Sequence, residues 1–203
     1  MKGIIRKTIL GIWFFGGLSA CTSKPHFTIE GSLDEKVDGE AYIVGYPGWN
    51  KKPDPLARAE IRDGKFTLTG SLPDTMEAGL YITGEKTYAI LLLENADYRA
   101  HLHLKNPEAN RVEGPELQLL FAAYQAIGNK TAGQTNELRN RYYSARQKND
   151  TATMNEVMRT MGKLGEQTGR EQEQFREAHK DGFLAAYLLN KRMYQYQNIE
   201  DLQ

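Results

Sequence analysis

Cysteine is almost absent from this chain of 203 residues, in which Cys21 is the only one. A single thiol cannot form an intramolecular disulfide, a Cys-x-x-Cys motif or a thiolate metal cluster. Dithiol redox chemistry is therefore excluded for this chain acting alone. Positive charge is not in excess either, since 26 lysines and arginines balance 26 aspartates and glutamates. Nucleic-acid binding, which depends on a strongly basic surface, is not expected.

Recognisable catalytic motifs are also missing from the sequence. It contains no glycine-rich phosphate loop, no Ser-His-Asp order and no recognisable pair of catalytic carboxylates. We therefore predict no catalytic residue and no cofactor for this chain, and we expect it not to be an enzyme.

Long hydrophobic runs are absent as well. The most apolar stretch, residues 9–18, follows three basic residues and is shorter than the roughly 20 residues that a membrane-spanning helix needs. A basic segment followed by a short apolar one is typical of a secretory signal peptide. The sequence therefore predicts a signal peptide at residues 1–20 and a tether at residues 21–25.

The end of the signal peptide indicates where the protein is placed. Leu18, Ser19 and Ala20 directly precede Cys21, and this tetrapeptide resembles the bacterial lipobox, in which diacylglycerol is attached to the cysteine before cleavage. Stable anchoring takes more than one acyl chain, so further acylation, such as palmitate, is expected. Residues 22–25 lack the aspartate that resembles an inner-membrane retention signal. We expect a cell-envelope lipoprotein on the outer membrane, facing the periplasm. The alternative is an ordinary cleavage site that a cysteine follows by chance.

Proline does not occur after Pro115, although seven prolines lie at or before that position. The later residues are rich in helix formers, whereas the earlier part is typical of strands and turns. The composition predicts an antiparallel β domain at 26–112 and an α-helical region at 113–203, incomplete at its end. The expected fold class is α+β: a small antiparallel β-sandwich or barrel of about seven strands, followed by helices.

Alternation of apolar and polar residues predicts the strands. Asp63-Gly64 lies between two alternating runs, and glycine tolerates the positive φ of a type I′ turn, so we expect a β-hairpin there. Residues 88–93 are apolar without alternation, which indicates a strand covered on both faces or one in the middle of the sheet. The predicted strands are 27–33, 40–46, 57–61, 65–70, 79–83, 88–93 and 98–105.

Apolar residues at helical spacing predict four helices. The first follows Pro115, which is favoured in a first helical turn, and the second covers about 135–148. Asn149-Asp150 either ends the second helix or caps the third. Gly162, Gly165 and Gly169 indicate a kink or break in the third helix, and the fourth covers 183–196. The inward positions are Leu117, Leu120, Phe121, Tyr124 and Ile127, then Leu138, Tyr142 and Ala145, then Met154, Val157, Met158, Met161 and Leu164.

The order of these parts carries a resemblance to a known family. The segments concerned are 27–33, 39–46, the hairpin at Asp63-Gly64 with 65–70, 91–94, 112–114 and 183–189. Together they resemble the uncharacterised β-rich N-terminal domain, with its trailing helices, of thioredoxin-like lipoproteins in the envelope of Gram-negative anaerobes. The resemblance implies relatives that continue into a thioredoxin fold carrying Cys-x-x-Cys and act as thiol-disulfide oxidoreductases.

This sequence departs from that family where the catalytic cysteines would be, because it ends at Gln203 before a thioredoxin domain. We therefore expect a lipid-anchored, non-catalytic module that binds or orients a partner, either a thioredoxin-like domain or another envelope protein. One alternative is the N-terminal fragment of a complete oxidoreductase, from a truncated or split gene. Another is a carbohydrate- or peptide-binding lipoprotein.

His101 and His103 form a weak candidate metal site. They are two residues apart in a predicted strand, so both side chains are expected on one face. Arg99 and Lys105 share that face, and no third ligand is identifiable nearby. A plain solvent-exposed polar face is the preferred interpretation, without a metal.

The loop at 46–55 contains the candidate binding residues Tyr46, Trp49 and Asn50. An aromatic side chain beside polar ones could stack on a sugar ring, a peptide or a partner domain. The alternative, which we prefer, is that Trp49 folds back over the open edge of the sheet.

Overall fold

The structure, a computed structural model, describes residues 26–47 and 52–193. This part of the chain contains eight strands in two four-stranded sheets, followed by four helices, so the α+β prediction is confirmed. The strands are β1 (Phe27–Leu33), β2 (Gly39–Tyr46), β3 (Asp54–Ile61), β4 (Lys65–Gly70), β5 (Met76–Ile82), β6 (Tyr88–Leu93), β7 (Asp97–Leu102) and β8 (Arg111–Glu113). The helices are α1 (Glu116–Asn129), α2 (Ala132–Gln147), α3 (Thr151–Ala178) and α4 (Phe183–Met193).

The two sheets have the strand orders β4-β1-β7-β8 and β3-β2-β5-β6. All seven predicted strands are present, and the short β8 is an eighth that the sequence pattern did not indicate. Every pair is antiparallel except β1 and β7, which are parallel. The expectation of a purely antiparallel domain is therefore wrong at this pair. The connection between β6 and β7 crosses from one sheet to the other, and β7 runs in the same direction as β1.

The predicted hairpin at Asp63-Gly64 is confirmed. Both residues have positive φ, 50° and 74°, as a type I′ turn requires. The backbone N–H groups of Arg62 and Lys65 each donate to the other residue's carbonyl oxygen at 3.0 Å. Beyond this bridge the two strands separate, because β3 belongs to one sheet and β4 to the other.

The strand β6 separates two apolar clusters. Ala89, Leu91 and Leu93 point into the core between the sheets, whereas Ile90 and Leu92 pack against the helices. The helical partners are Phe121 of α1 and Leu184 and Leu188 of α4. The prediction of a strand covered on both faces is confirmed, although β6 is the last strand of its sheet and not a central one.

The helices follow the predicted stripes with three corrections. α2 begins at Ala132, earlier than expected, and α3 runs through all three glycines without a break. Nothing lies within 4 Å of the place where a Cβ would be at Gly162, so no neighbour forces a bend there. Met158 is 58% exposed and does not belong to the core. Asp150 caps α3, since its side chain accepts a hydrogen bond from the Thr153 N–H at 3.0 Å.

Within residues 26–47 and 52–193, none of the helices has both the length and the hydrophobicity that a membrane-spanning helix requires.

Candidate functional site

Four side chains form a continuous row across the outer face of the sheet β3-β2-β5-β6. The strand registers place Arg58 opposite Tyr42, Tyr42 opposite Tyr81, and Tyr81 opposite Tyr88. Each of these residues alternates with a neighbour that points toward the core, so the same period of two that builds the core places them outside. We call these four residues the tyrosine row.

The members of the tyrosine row contact one another directly. The ring centroids of Tyr42 and Tyr81 are 5.4 Å apart with an interplanar angle of 19°, and those of Tyr81 and Tyr88 are 5.8 Å apart at 21°. The Arg58 guanidinium carbon lies 5.6 Å from the Tyr42 ring centroid. Glu40 accepts a hydrogen bond from Arg58 at 2.8 Å. Stacking and cation–π contacts of this kind hold the four side chains in one arrangement before any ligand arrives.

Tyr81 is the fixed centre of the row. Its hydroxyl group lies 2.5 Å from that of Tyr46, and its ring covers Gly79, where a Cβ would come within 2.5 Å of a ring carbon. Burial raises the pKa of Tyr81 above the usual value of a phenol, and the hydrogen bond with Tyr46 raises this pKa further. Tyr81 is therefore neutral at physiological pH, which suits it to packing and hydrogen bonding and not to acid–base chemistry.

The open end of the row is Tyr88, whose exposed fraction is 50%. Tyrosine and arginine are enriched at protein–protein interfaces, where they contribute most of the binding free energy. A rigid aromatic surface with one exposed ring is therefore suited to receive a partner. The helices cover the outer face of this sheet at Ile90 and Leu92 of β6. The tyrosine row lies on the same face, outside the area that the helices cover.

Of the three candidate binding residues in the predicted loop, only Tyr46 lies among the described residues. Tyr46 ends β2 and contacts Tyr81, so it brings the start of this loop to the tyrosine row. Trp49 and Asn50 lie outside the described residues, as do Cys21 and the three lipobox residues before it.

The two predicted histidines lie together at the end of β7, where His101 is in the strand and His103 follows its last residue, Leu102, so the strand is shorter than predicted. Their rings meet edge to face with centroids 4.7 Å apart. His101 Nδ1 is 2.9 Å from the Ser32 hydroxyl oxygen, and His103 Nδ1 is 3.2 Å from an Asp34 carboxylate oxygen. The Leu104 N–H and then His103 hold the pKa of Asp34 below its usual value.

The charges that the sequence places beside the histidines are both paired. Lys105 lies 2.5 Å from a Glu35 carboxylate oxygen, and Arg99 lies 3.9 Å from that of Glu30. In residues 26–47 and 52–193, no group of three or more His, Cys, Asp or Glu side chains is arranged to hold a metal ion. Both imidazoles are within hydrogen-bonding distance of side chains near the end of β1, His101 of Ser32 and His103 of Asp34.

Sequence reasoning missed the tyrosine row. Tyr42, Tyr81 and Tyr88 each fall in a predicted strand, which is the signal that could have found them. Their alignment depends on the pairing of β2 with β5 and of β5 with β6. A single sequence does not specify that pairing, so only the structure brings the residues together.

The fold and this surface define an α+β protein in which a β-sandwich with an open aromatic face precedes a helical region. A family model described as a domain of unknown function, DUF4369, matches residues 27–132. This match covers more than half of the chain, and the chain belongs to the DUF4369 family. It includes all eight strands and α1 and ends at the first residue of α2. No curated protein matches the chain.

Proposed function

We propose that the protein is a lipid-anchored, non-catalytic module of the cell envelope that binds or orients a partner protein. The observation that carries this proposal is the tyrosine row, a pre-arranged surface of three tyrosines and one arginine on the outer face of the sandwich. The groups gathered there are three stacked phenol rings and a guanidinium paired with Glu40, which are suited to the recognition of a partner.

The lipid anchor would hold this surface close to the bilayer. Cys21 precedes β1 by six residues, which span at most about 20 Å when fully extended. A domain on so short a tether meets mainly partners that are themselves at the membrane surface. This supports an envelope protein as the partner, including a thioredoxin-like domain of the kind found in the resembling lipoproteins.

The anchor is tested by mass spectrometry of the amino-terminal peptide from native membranes. We expect a peptide that begins at Cys21 and carries acyl chains, and we expect Cys21→Ser to leave the membrane fraction. An unmodified, full-length amino terminus in the wild-type protein would contradict the proposal.

The binding surface is tested by site-specific photo-crosslinking in the native cell. Benzoylphenylalanine replaces either Tyr88 in the row or Tyr143 in α2, whose exposed fractions are nearly equal at 50% and 52%. We expect a discrete adduct from position 88 and none of that mass from position 143. Tyr42→Ala should abolish this adduct, since it removes the ring that supports Tyr81. Equal adducts from both positions, or none from position 88, would contradict a partner at the row.

The main alternative is that the chain is the N-terminal part of a complete thioredoxin-like thiol-disulfide oxidoreductase. The resemblance of the β-rich segments and trailing helices to such lipoproteins supports it. Reading the DNA past Gln203 for an in-frame or adjacent Cys-x-x-Cys decides between the two. Reduction of insulin disulfides by the purified mature chain would refute the non-catalytic proposal directly.

A second alternative, a carbohydrate- or peptide-binding lipoprotein, is favoured by the contact between Tyr46 and Tyr81, which joins the start of the Trp49 loop to the aromatic surface. Trp49 is the only tryptophan downstream of the signal segment, so its fluorescence reports on this loop alone. We expect a ligand of this class to quench it. An unchanged signal across a panel of glycans and peptides would contradict this function.

A further inference from the structure

The two histidines at the end of β7 form a cluster that the proposed function does not use. Each imidazole is held through its Nδ1 atom, which leaves Nε2 available to a ligand. We propose that His101 and His103 together bind a divalent transition-metal ion, such as Zn²⁺, through their Nε2 atoms. This goes against the interpretation preferred from the sequence, a polar face without a metal. Imidazole nitrogen is a favoured ligand of Zn²⁺, Cu²⁺ and Ni²⁺.

The contacts of His103 select the tautomer that a metal needs. Its Nδ1 lies 3.2 Å from one carboxylate oxygen of Asp34, whose other oxygen accepts a hydrogen bond from the Leu104 N–H at 3.1 Å. A carboxylate only accepts hydrogen bonds, so the neutral ring of His103 carries its proton on Nδ1 and its lone pair on Nε2. A carboxylate in this position commonly orients a metal-binding histidine and raises its basicity.

The contacts of His101 lead to the same tautomer. Its Nδ1 lies 2.9 Å from the Ser32 hydroxyl oxygen, and this hydroxyl group donates to the Ala100 carbonyl oxygen at 3.4 Å. Because the hydroxyl proton is used there, the oxygen accepts the Nδ1–H of His101. The lone pair of this ring is therefore also on Nε2.

The spacing of the two rings fits a shared ion. With bonds of about 2.0–2.1 Å from the ion to each Nε2, two imidazoles at tetrahedral or right angles have ring centroids about 4.5–5.2 Å apart. The centroids of His101 and His103 are 4.7 Å apart. Coordination fixes the directions of the two nitrogens and not the tilt between the ring planes, so the edge-to-face arrangement is allowed.

The cations near the histidines are engaged by other groups. Arg99 lies 3.9 Å from a Glu30 carboxylate oxygen, and Lys105 lies 2.5 Å from that of Glu35. On β8, the Nη1 of Arg111 donates to two backbone carbonyl oxygens. The two carboxylates offset the repulsion that the sequence alone suggests between a metal ion and this strand face.

Two protein ligands make an open site. Among the residues that the structure describes, no third His, Cys, Asp or Glu side chain completes a metal-binding group. Water or a donor atom from a partner would therefore fill the remaining positions. His101 is exposed and the His103 side chain is 28% exposed, so the ion is accessible from solution. Structural zinc sites have four protein ligands, whereas an ion held by two exchanges with the solution.

The test is isothermal titration of the purified mature chain with the chlorides of zinc and magnesium. The chain carries no histidine tag and contains Cys21→Ser, so that no thiol competes for the ion. We expect one site for Zn²⁺ and no detectable binding of Mg²⁺, which prefers oxygen ligands. Absence of Zn²⁺ binding, or equal affinities for the two ions, would overturn the proposal.

Variants locate the ion. His101→Gln and His103→Gln should each weaken Zn²⁺ binding at least tenfold, and circular dichroism checks that they fold. His179→Gln is the matched control and should leave the affinity unchanged, because His179 lies at the end of α3 with its Nδ1 2.9 Å from the Phe175 carbonyl oxygen. Unchanged binding in either β7 variant, or an equal loss in His179→Gln, would place the ion elsewhere and overturn the assignment.

Asp34 is a positioning residue, and its role has a spectroscopic signature. In Asp34→Asn the new amide group donates to Nδ1 of His103, so the ring proton should move to Nε2. We expect Zn²⁺ to bind about 10–100-fold more weakly, and long-range ¹H–¹⁵N spectra to show the proton shift at His103 but not at His101. A proton already on Nε2 of His103 in the unchanged protein would refute the proposed site. None of these outcomes depends on the lipid anchor or on the tyrosine row.

Discussion

Gln118 and Tyr98 satisfy the backbone groups of Leu92 at the free edge of β6. The Leu92 N–H donates to the Gln118 side-chain oxygen at 3.0 Å, and the Leu92 carbonyl accepts from the Tyr98 hydroxyl at 3.1 Å. The same hydroxyl accepts from the Glu94 N–H at 2.9 Å, and burial raises the pKa of Tyr98 to about 12. An unpaired strand edge is a site for unwanted pairing, and these two side chains occupy it at Leu92.

Replacing Gln118 should therefore destabilise the fold. Gln118 is 1% exposed, and Gln118→Leu keeps the volume but leaves the Leu92 N–H buried without an acceptor. We expect the free energy of unfolding to fall by about 1–3 kcal/mol, measured by urea denaturation. The exposed Gln134→Leu on α2 serves as the control and should change it by less than about 0.5 kcal/mol. Equal effects of the two variants would contradict the role of Gln118.

Gly79 fixes the position of Tyr81. In Gly79→Ala the new Cβ would meet the Tyr81 ring at 2.5 Å, and because only the far end of the side chain is in the way, the ring should swing aside. We expect loss of the hydrogen bond with Tyr46 and a lower pKa of Tyr81, measured by ultraviolet titration of the tyrosines. Gly39→Ala, whose nearest neighbour is 3.9 Å away, should leave the titration unchanged. An unchanged titration in Gly79→Ala would show that Tyr81 is not held against this glycine.

At the level of single elements, both tertiary packing and local sequence signals determine where α3 forms. Its 28 residues include three glycines, yet the helix is continuous. Val157 is fully buried, with Leu138 and Ala145 the buried residues of the neighbouring α2. Asp150 fixes the beginning of the helix. The glycines lie where no side chain is needed for packing.

Alanine at these glycines should stabilise α3. Gly162 and Gly165 have open surroundings, so Gly162→Ala and Gly165→Ala introduce no clash and reduce the backbone entropy of the unfolded chain. We expect each variant to raise the free energy of unfolding by about 0.5–1 kcal/mol in urea denaturation. A decrease would indicate that the helix needs flexibility at these positions.

The sequence pattern predicted most of the strands and helices but not which strands pair with each other, for a physical reason. Alternation and helical spacing are local, so β1 to β7, the Asp63-Gly64 turn and the covered faces of β6 followed from them. The parallel pairing of β1 with β7 and the alignment of Tyr42 with Tyr81 depend on contacts between distant segments. The burial of Gln118 was not predicted, because a glutamine in an amphipathic helix is expected to face solvent. In the structure its side chain accepts a hydrogen bond from the Leu92 N–H at the edge of β6.

At the scale of the whole molecule, the stability of the fold should depend on tyrosine ionisation. Burial raises the pKa values of Tyr81, Tyr98 and Tyr187, which lie on the sheet face, in the core and on α4. These phenols stay neutral in the folded protein at a pH where unfolded tyrosines, with pKa values of about 10, ionise. The stabilisation is therefore complete below about pH 10 and is lost as the pH rises toward the folded-state values.

Urea denaturation at a series of pH values from 8 to 11 measures this loss. We expect the free energy of unfolding to fall above about pH 10, and to fall less steeply in Tyr81→Phe, which removes one of the three groups. Tyr143→Phe, at an exposed position, should follow the wild-type profile and controls for the lysines that ionise in the same range. Identical slopes for all three proteins would contradict a raised pKa at Tyr81.

The central position of β1 in its sheet has a mechanical consequence for an anchored protein. β1 is hydrogen-bonded to β4 on one side and to β7 on the other, and its first residue follows the proposed anchor by a short tether. Any tension between the membrane and a bound partner would enter the domain along this strand. Pulling β1 out of the sheet would require its hydrogen bonds to β4 and to β7 to break together, in shear, and not one after another. The sandwich should therefore resist force applied at its amino terminus.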